Sequence, residues 1–185
     1  MLSVSRLESN EDELKKEDFN FKEQVLGVVI SQERRIEDKK LNIIGLDTLG
    51  DVTVNADKDM IYRVVYNLVD NAIKFTDEGG DIEFDIRYDV KNITFKIKNT
   101  GKGIPKAELP YVFERFYKVD KSRSTNKQST GLGLYIVKTI IKNHGGVISV
   151  SSVENSFTAF EFTLPIADRR SVSYTHLTLP TMAVV

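Results

Sequence analysis

The chain has no cysteine, so disulfide staples and cysteine-ligated metal clusters are both excluded, and its fold must rest on packing alone. It has no excess of either charge. With 26 basic and 27 acidic side chains the formal net charge is −1, which offers no electrostatic footprint for nucleic acid and no basic face for an anionic membrane. Nor does any apolar run reach the length of a membrane span, and the first residues do not read as a signal peptide. Internal repeats are missing, and so is a Walker A sequence. What is left is an ordinary soluble composition, 41% hydrophobic, in 185 residues, enough for one domain with a buried core.

Periodicity arranges that core. Residues 1–18 are polar and helix-compatible, and Phe19 and Phe21 then flank Asn20 in a short alternating stretch. A helix is predicted over 22–39, with Val25, Val28, Val29 and Ile36 on one stripe. LNIIGL (41–46) and DVTVNA (51–56) read as two strands around a turn at Gly50-Asp51. Residues 57–75 carry Ile61, Val65, Leu68 and Ala72 at helical spacing. DIEFDIRYDV (81–90) and NITFKIK (92–98) alternate like a half-buried hairpin. A short helical piece is predicted over about 106–117. A stronger helix runs over 131–143, with His144-Gly145-Gly146 as its stop, and VISVSS (147–152) and FTAFEFTL (157–164) form a closing hairpin. Helices and hairpins covering one another predict an α+β fold: a two-layer sandwich whose mixed, mostly antiparallel sheet carries about three helices on one face.

Three strings carry chemistry. In NLVDNAIKFT (67–76), Asn67, Asn71 and Lys74 share one helix face, roughly opposite Leu68. Amide oxygens suit Mg²⁺, which keeps several waters and takes further ligands from phosphates. A neighbouring lysine holds a phosphate as a point charge, and Phe75 can pack on a flat base. The plain alternative is a wet helix face. In NTGKGIP (99–105) a strand runs straight into a turn with Gly101 and Gly103, where backbone can approach a ligand and a polar side chain can read a base edge. The alternative there is a surface turn. In STGLGLYIVK (129–138), Gly131 and Gly133 precede a helix, with Ser129-Thr130 as a candidate cap. Free N–H groups at such a start attract phosphate. Ile136 stands where a dinucleotide fingerprint needs its third glycine. Each string alone is weak; their order is informative.

Taken together, these residues resemble the catalytic and ATP-binding domain of bacterial sensor histidine kinases, within the superfamily shared with gyrase, heat-shock chaperone and mismatch-repair ATPases. The resemblance covers roughly 19–165. NLVDNAIKFT resembles the N box, NTGKGIP the first glycine box, VFERFYK (112–118) the F box and TGLGL (130–134) the second glycine box. FEFTLP (160–165) resembles the closing strand, and LSVSRLES (2–9) resembles the end of the preceding dimerisation and phosphoacceptor helix. The chain would then divide into a remnant and linker at 1–18, the domain at 19–165, and a non-domain tail at 166–185.

The resemblance implies a Bergerat-type ATP-binding fold with ATP and Mg²⁺. It makes Asn71 the metal ligand, with Asn67 beside the same phosphates, and gives Lys74 a phosphate contact and Phe75 the adenine border. Asn67 and Lys74 would serve the chemistry. Asn99, Gly101, Gly103 and Ile104 would form the base pocket. Phe113 and Phe116 would hinge a lid over about 117–130. Tyr117, Lys118 and Arg123, with Lys121 and Lys127, would be its nucleotide-facing candidates, and Thr130, Gly131, Leu132, Gly133 and Leu134 would cradle phosphate at its far end. Two departures stand out. The first glycine box usually begins with aspartate and here has Asn99, a neutral acceptor. The only histidines, His144 and His176, lack the setting of a phosphoacceptor. The implied partners are a phosphoacceptor histidine domain and a response-regulator receiver domain, with no nucleic acid. The implied location is cytoplasmic, the parent protein being either soluble or membrane-anchored. Hydrolysing relatives carry a glutamate where Asn67 stands, so slow turnover is expected. The competing readings are an anti-sigma-type serine kinase, against which LSVSRLES speaks, and a degenerate nucleotide-binding docking module.

Overall fold

The computed structural model describes residues 14–119 and 130–166. Its main body is a five-stranded sheet in the order β2-β4-β5-β7-β6, formed by β2 (Asn42–Ile44), β4 (Asp81–Tyr88), β5 (Asn92–Thr100), β6 (Ile148–Val153) and β7 (Phe157–Pro165). All pairings are antiparallel except β2 with β4. A separate antiparallel ribbon joins β1 (Lys16–Asn20) to β3 (Thr53–Asp57). Helices α1 (Phe21–Ser31), α3 (Lys58–Phe75) and α4 (Gly133–Asn143) supply the apolar cover, and α2 (Glu33–Asp38) is a short exposed piece. This is the α+β sandwich that the alternation predicts, and no described helix is long and apolar enough to cross a membrane.

Strict alternation fixes which face of the sheet is covered. Ile82, Phe84, Ile86, Ile93, Phe95, Ile97, Phe160, Phe162 and Leu164 all point inward and are buried. The opposite face is solvated and charge-paired across strands: Glu83 faces Lys98 and Asp85 faces Lys96 in register, and Arg87 reaches Glu161 at 3.1 Å. Phe21, the first residue of α1, closes the core with edge-on contacts to Phe95 and Phe162 at 5.5 and 6.1 Å.

The long helix α3 buries Met60, Ile61, Val64, Val65, Leu68, Val69, Ala72 and Ile73. Asp57 caps it, accepting from Met60 N at 3.1 Å. The second carboxylate oxygen of Asp57 accepts from Lys15 N at 3.2 Å. The Asp57 N–H donates to Nε2 of His144 at 3.1 Å, so the start of α3 is tied to the end of α4.

Four local expectations are corrected. The helix expected over 22–39 breaks at Gln32, where Ser31 Oγ donates to Val28 O at 2.6 Å and Gln32 closes with an i−3 bond to Val29. Residues 41–46 and 51–56 do not form a hairpin: β2 joins the main sheet and β3 pairs with β1. Leu49 and Val52 are buried on either side of Gly50 and the exposed Asp51, so both flanks of that turn are held by the core instead of by each other. The piece expected over 106–117 is helical only as a 3₁₀ turn at Leu109–Tyr111, because Pro110 interrupts it and Phe116, at φ 64°, leaves helical space. Finally, Lys16–Asp18, read as helix-compatible, lie in β1, where register with β3 outweighs local propensity. The proposed remnant at 2–9 and all of the tail beyond Ile166 lie outside the described residues.

Candidate nucleotide-binding site

The site is built where the C-terminal half of α3, the turn after β5 and the start of α4 converge. On α3, Asn67, Asn71 and Lys74 share one face, as their spacing predicts, but they are half-buried beside the core stripe instead of opposite Leu68. Phe75 closes the helix with its ring largely exposed, 59%, and the Lys74 ammonium sits 5.3 Å from the ring centroid. The start of α4 comes directly against this face. A Cβ built on Gly133 would stand 3.7 Å from Oδ1 of Asn67. The first intrahelical bond of α4 is Ile136 N to Leu132 O, at 2.9 Å, so the N–H groups of Gly133 and Leu134 have no intrahelical acceptor. They belong to the positive end of a helix beside the Asn67 amide oxygen. The cap itself is Leu132, without a side-chain cap bond, so Thr130 does not cap α4; it lies two residues outside, exposed. Ser129 lies outside the described residues.

The first glycine turn is seated on the end of α3. Gly101 has φ 151°, and a Cβ there would be 2.5 Å from the Phe75 carbonyl oxygen, so only glycine permits this approach. Gly103, at φ 67°, passes equally close to Val153 O. Ile104 N donates to Ser152 Oγ at 2.8 Å, pinning the outgoing chain to β6. Asn99 is buried at 6% exposure, in register between Ile82 and Thr158, with Nδ2 donating to Thr100 O at 3.0 Å.

The two phenylalanines of the F box are held in different ways. Phe113 packs on Phe160, ring centroids 6.0 Å apart, and touches the core. Phe116 does not: its ring is exposed, and what holds it is its backbone N–H donating to Gly131 O at 3.0 Å. Both residues adopt left-handed φ, 64° and 69°. Arg115 lies 5.6 Å from the Phe116 ring and 5.5 Å from Tyr135. Tyr117 faces Tyr111 at 5.8 Å, and Lys118 is half-buried. Leu132 and Leu134 pack, partly buried, against the core's edge. Arg123, Lys121 and Lys127 lie outside the described residues.

His144 has both ring nitrogens engaged. It is buried at the C-cap of α4, with Nδ1–H donating to Ile140 O at 2.8 Å and Nε2 accepting from Asp57. Burial depresses its pKa, only partly offset by the Ile140 bond and the Asp57 charge, with Lys16 adding a further lowering.

Sequence reasoning missed one residue at this site. Lys39, from the end of α2, places its ammonium on the carbonyls that end α3. Nothing local marks it, because its partners lie 34 to 37 positions away.

Comparison with known proteins agrees with this geometry. Residues 56–168 match the family described as histidine kinase-, DNA gyrase B- and HSP90-like ATPases. The sensor histidine kinase WalK of Bacillus subtilis is 39% identical over 122 residues, 65% of this chain and 20% of WalK. The chain therefore spans about one fifth of the curated relatives it matches. The catalytic domain of histidine kinase ThkA superposes with a TM-score of 0.71 at 29% identity, covering 82% of this chain and 96% of that one. ThkA in complex with response regulator protein TrrA gives 0.69 at 27%, covering 89% and 48%. The chain belongs to the family of histidine kinase-, DNA gyrase B- and HSP90-like ATPases, and what it carries is the ATP-binding catalytic domain of the histidine-kinase kind.

Proposed function

We propose that this domain binds ATP with Mg²⁺ and donates the γ-phosphate to a histidine on a separate dimerisation domain, for relay to a response regulator. The observation that carries the reading is the contact between Asn67 and the start of α4. It brings the Asn67 amide oxygen against the start of α4, on the helix face that also carries Asn71 and Lys74. The donor set suits Mg²⁺: Asn67 and Asn71 offer neutral oxygens, and the described residues contain no cluster of histidine or carboxylate that would favour a softer or all-protein metal cage. Held by Asn71 with Asn67 alongside, Mg²⁺ would supply positive charge against the phosphates during transfer.

The chain's own residues do the positioning. Asn71 would hold the metal, with Asn67 alongside. Lys74 would contact a phosphate, which requires its ammonium to leave the Phe75 ring. The N–H groups of Gly133 and Leu134 would bind the phosphate chain, Phe75 would border the base, and Asn99 Oδ1 would accept from the adenine amino group. Lys118 and Arg123 would approach from the lid. No glutamate stands at position 67 to activate water, which favours transfer over hydrolysis. The reading puts the acceptor histidine on another segment, and the burial of His144 with both ring nitrogens engaged supports it. The ThkA–TrrA complex supports a receiver domain as the downstream partner. A cytoplasmic location follows from the same reading, ATP being the substrate.

The test is to incubate the chain with γ-labelled ATP, Mg²⁺ and a separately produced phosphoacceptor domain. Label stable to base and lost in acid should accumulate on that domain's histidine. Rapid release of inorganic phosphate without transfer would contradict the kinase reading, and binding without transfer would favour a docking module.

A further inference from the structure

The last turn of α3 carries both Lys74 and Phe75, and its carbonyls need partners, since no further helical N–H follows them. The final helical bond is Thr76 N to Ala72 O, at 3.0 Å. Beyond it, the Lys39 ammonium donates to Ile73 O at 2.7 Å, Lys74 O at 3.3 Å and Thr76 O at 2.5 Å. An ammonium has three hydrogens, and here three oxygens converge on it. The carbonyl passed over, that of Phe75, faces Gly101 instead, at 2.5 Å from where a Cβ would stand. Lys39 grips the far side of the turn as well, its own carbonyl accepting from Gly79 N at 2.9 Å.

We propose that Lys39 is a positioning residue for the nucleotide site: by holding the carbonyls of Ile73, Lys74 and Thr76 it sets the direction of the Lys74 and Phe75 side chains. The inference rests on the reading that Lys74 and Phe75 contact ATP. Lys39 itself does not touch the nucleotide. Three further observations fit the role. Its charge lies at the negative end of the α3 dipole, where a cation is favoured. It cannot easily be replaced by a neighbour, since Arg35 is committed to Asp70 at 2.6 Å and to Gln32 at 2.7 Å. And behind the turn lies a concavity of about 230 Å³, lined by Arg35, Asp38, Lys39, Ile73 and Lys74, into which the turn can relax when the ammonium is removed. Water can then reach the released carbonyls, so the loss falls on geometry more than on the fold.

The test is Mg·ATP affinity by calorimetry, on protein shown to be folded by circular dichroism. Lys39→Met keeps the aliphatic stem and should weaken binding about tenfold. Lys39→Gln, which retains two N–H donors, should recover part of that loss. In a Phe75→Ala, Lys74→Met background, Lys39→Met should cost nothing further, because it acts through those residues. Val69→Ala, a core truncation on the same helix, should lower the melting temperature and leave affinity unchanged. The inference is overturned if Lys39→Met binds as wild type while Phe75→Ala and Lys74→Met weaken binding. It is equally overturned if the losses simply multiply in the combined variant. If Phe75→Ala and Lys74→Met themselves bind ATP as wild type, the site reading beneath the inference fails instead.

Discussion

Oδ1 of Asn67 lies 3.7 Å from the point where a side chain on Gly133 would begin, so α3 and α4 meet at the site across a missing Cβ. That spacing is ordinary contact for one methyl group and leaves no room for a branched one. Gly133→Ala should fold and melt at or slightly above the wild-type temperature, since alanine in a helix is favoured over glycine by roughly 0.5–1 kcal/mol. Gly133→Val should also fold, but its γ-carbons intrude between Asn67 and the helix start, and ATP affinity should fall about tenfold or more. Paired thermal melts and ATP titrations check both.

Gly101 is a different case, because backbone, not side chain, opposes it. A Cβ 2.5 Å from the Phe75 carbonyl forces the turn off the end of α3, and φ 151° adds strain. Gly101→Ala should cost about 1–3 kcal/mol of stability and weaken ATP binding together, in contrast to Gly133→Val, which separates the two.

Asn99 should read the base through a neutral hydrogen bond. Its Nδ2 is engaged by Thr100 O, leaving the amide oxygen for the adenine amino group. Asn99→Ala should weaken ATP about 2- to 12-fold, the range of roughly 0.5–1.5 kcal/mol expected of such a bond. Asn99→Asp should tighten it. Unchanged ATP affinity in Asn99→Ala contradicts the assignment, as does discrimination against GTP that survives it in full.

The His144 contact predicts a pH dependence. Nε2 must be unprotonated to accept from Asp57 N, and burial holds the folded-state pKa below that of the unfolded chain. The unfolded state therefore binds the proton more readily. The contribution to stability is complete above the unfolded value of about 6.5 and is lost as pH falls from there through the folded-state value. Melting temperature should drop between pH 7.5 and 5.5, and His144→Gln should lose less over that interval than wild type.

Much of this was legible because the signals were periodic and local. The α3 face bearing Asn67, Asn71 and Lys74, the β4–β5 and β6–β7 hairpins and the Gly145 stop of α4 all follow from spacing within a few residues. What escaped was set by tertiary contact. β2 looks like half of a local hairpin, yet it is captured by β4, and β3 is captured by β1. Thr130 looks like a cap, yet α4 begins at Gly133, with Leu132 turned toward the core. Lys39 offers no sequence signal at all, since a lysine ending a polar helix is normally solvated.

The account turns on Asn71 and the metal it would hold. Calorimetric titration of ATP, with and without Mg²⁺, into wild type and Asn71→Ala decides it. The prediction is binding strengthened by Mg²⁺ in wild type and the loss of that strengthening in Asn71→Ala, with the fold intact. ATP affinity that is indifferent to Mg²⁺, or a Mg²⁺ effect that survives Asn71→Ala unchanged, would contradict the account.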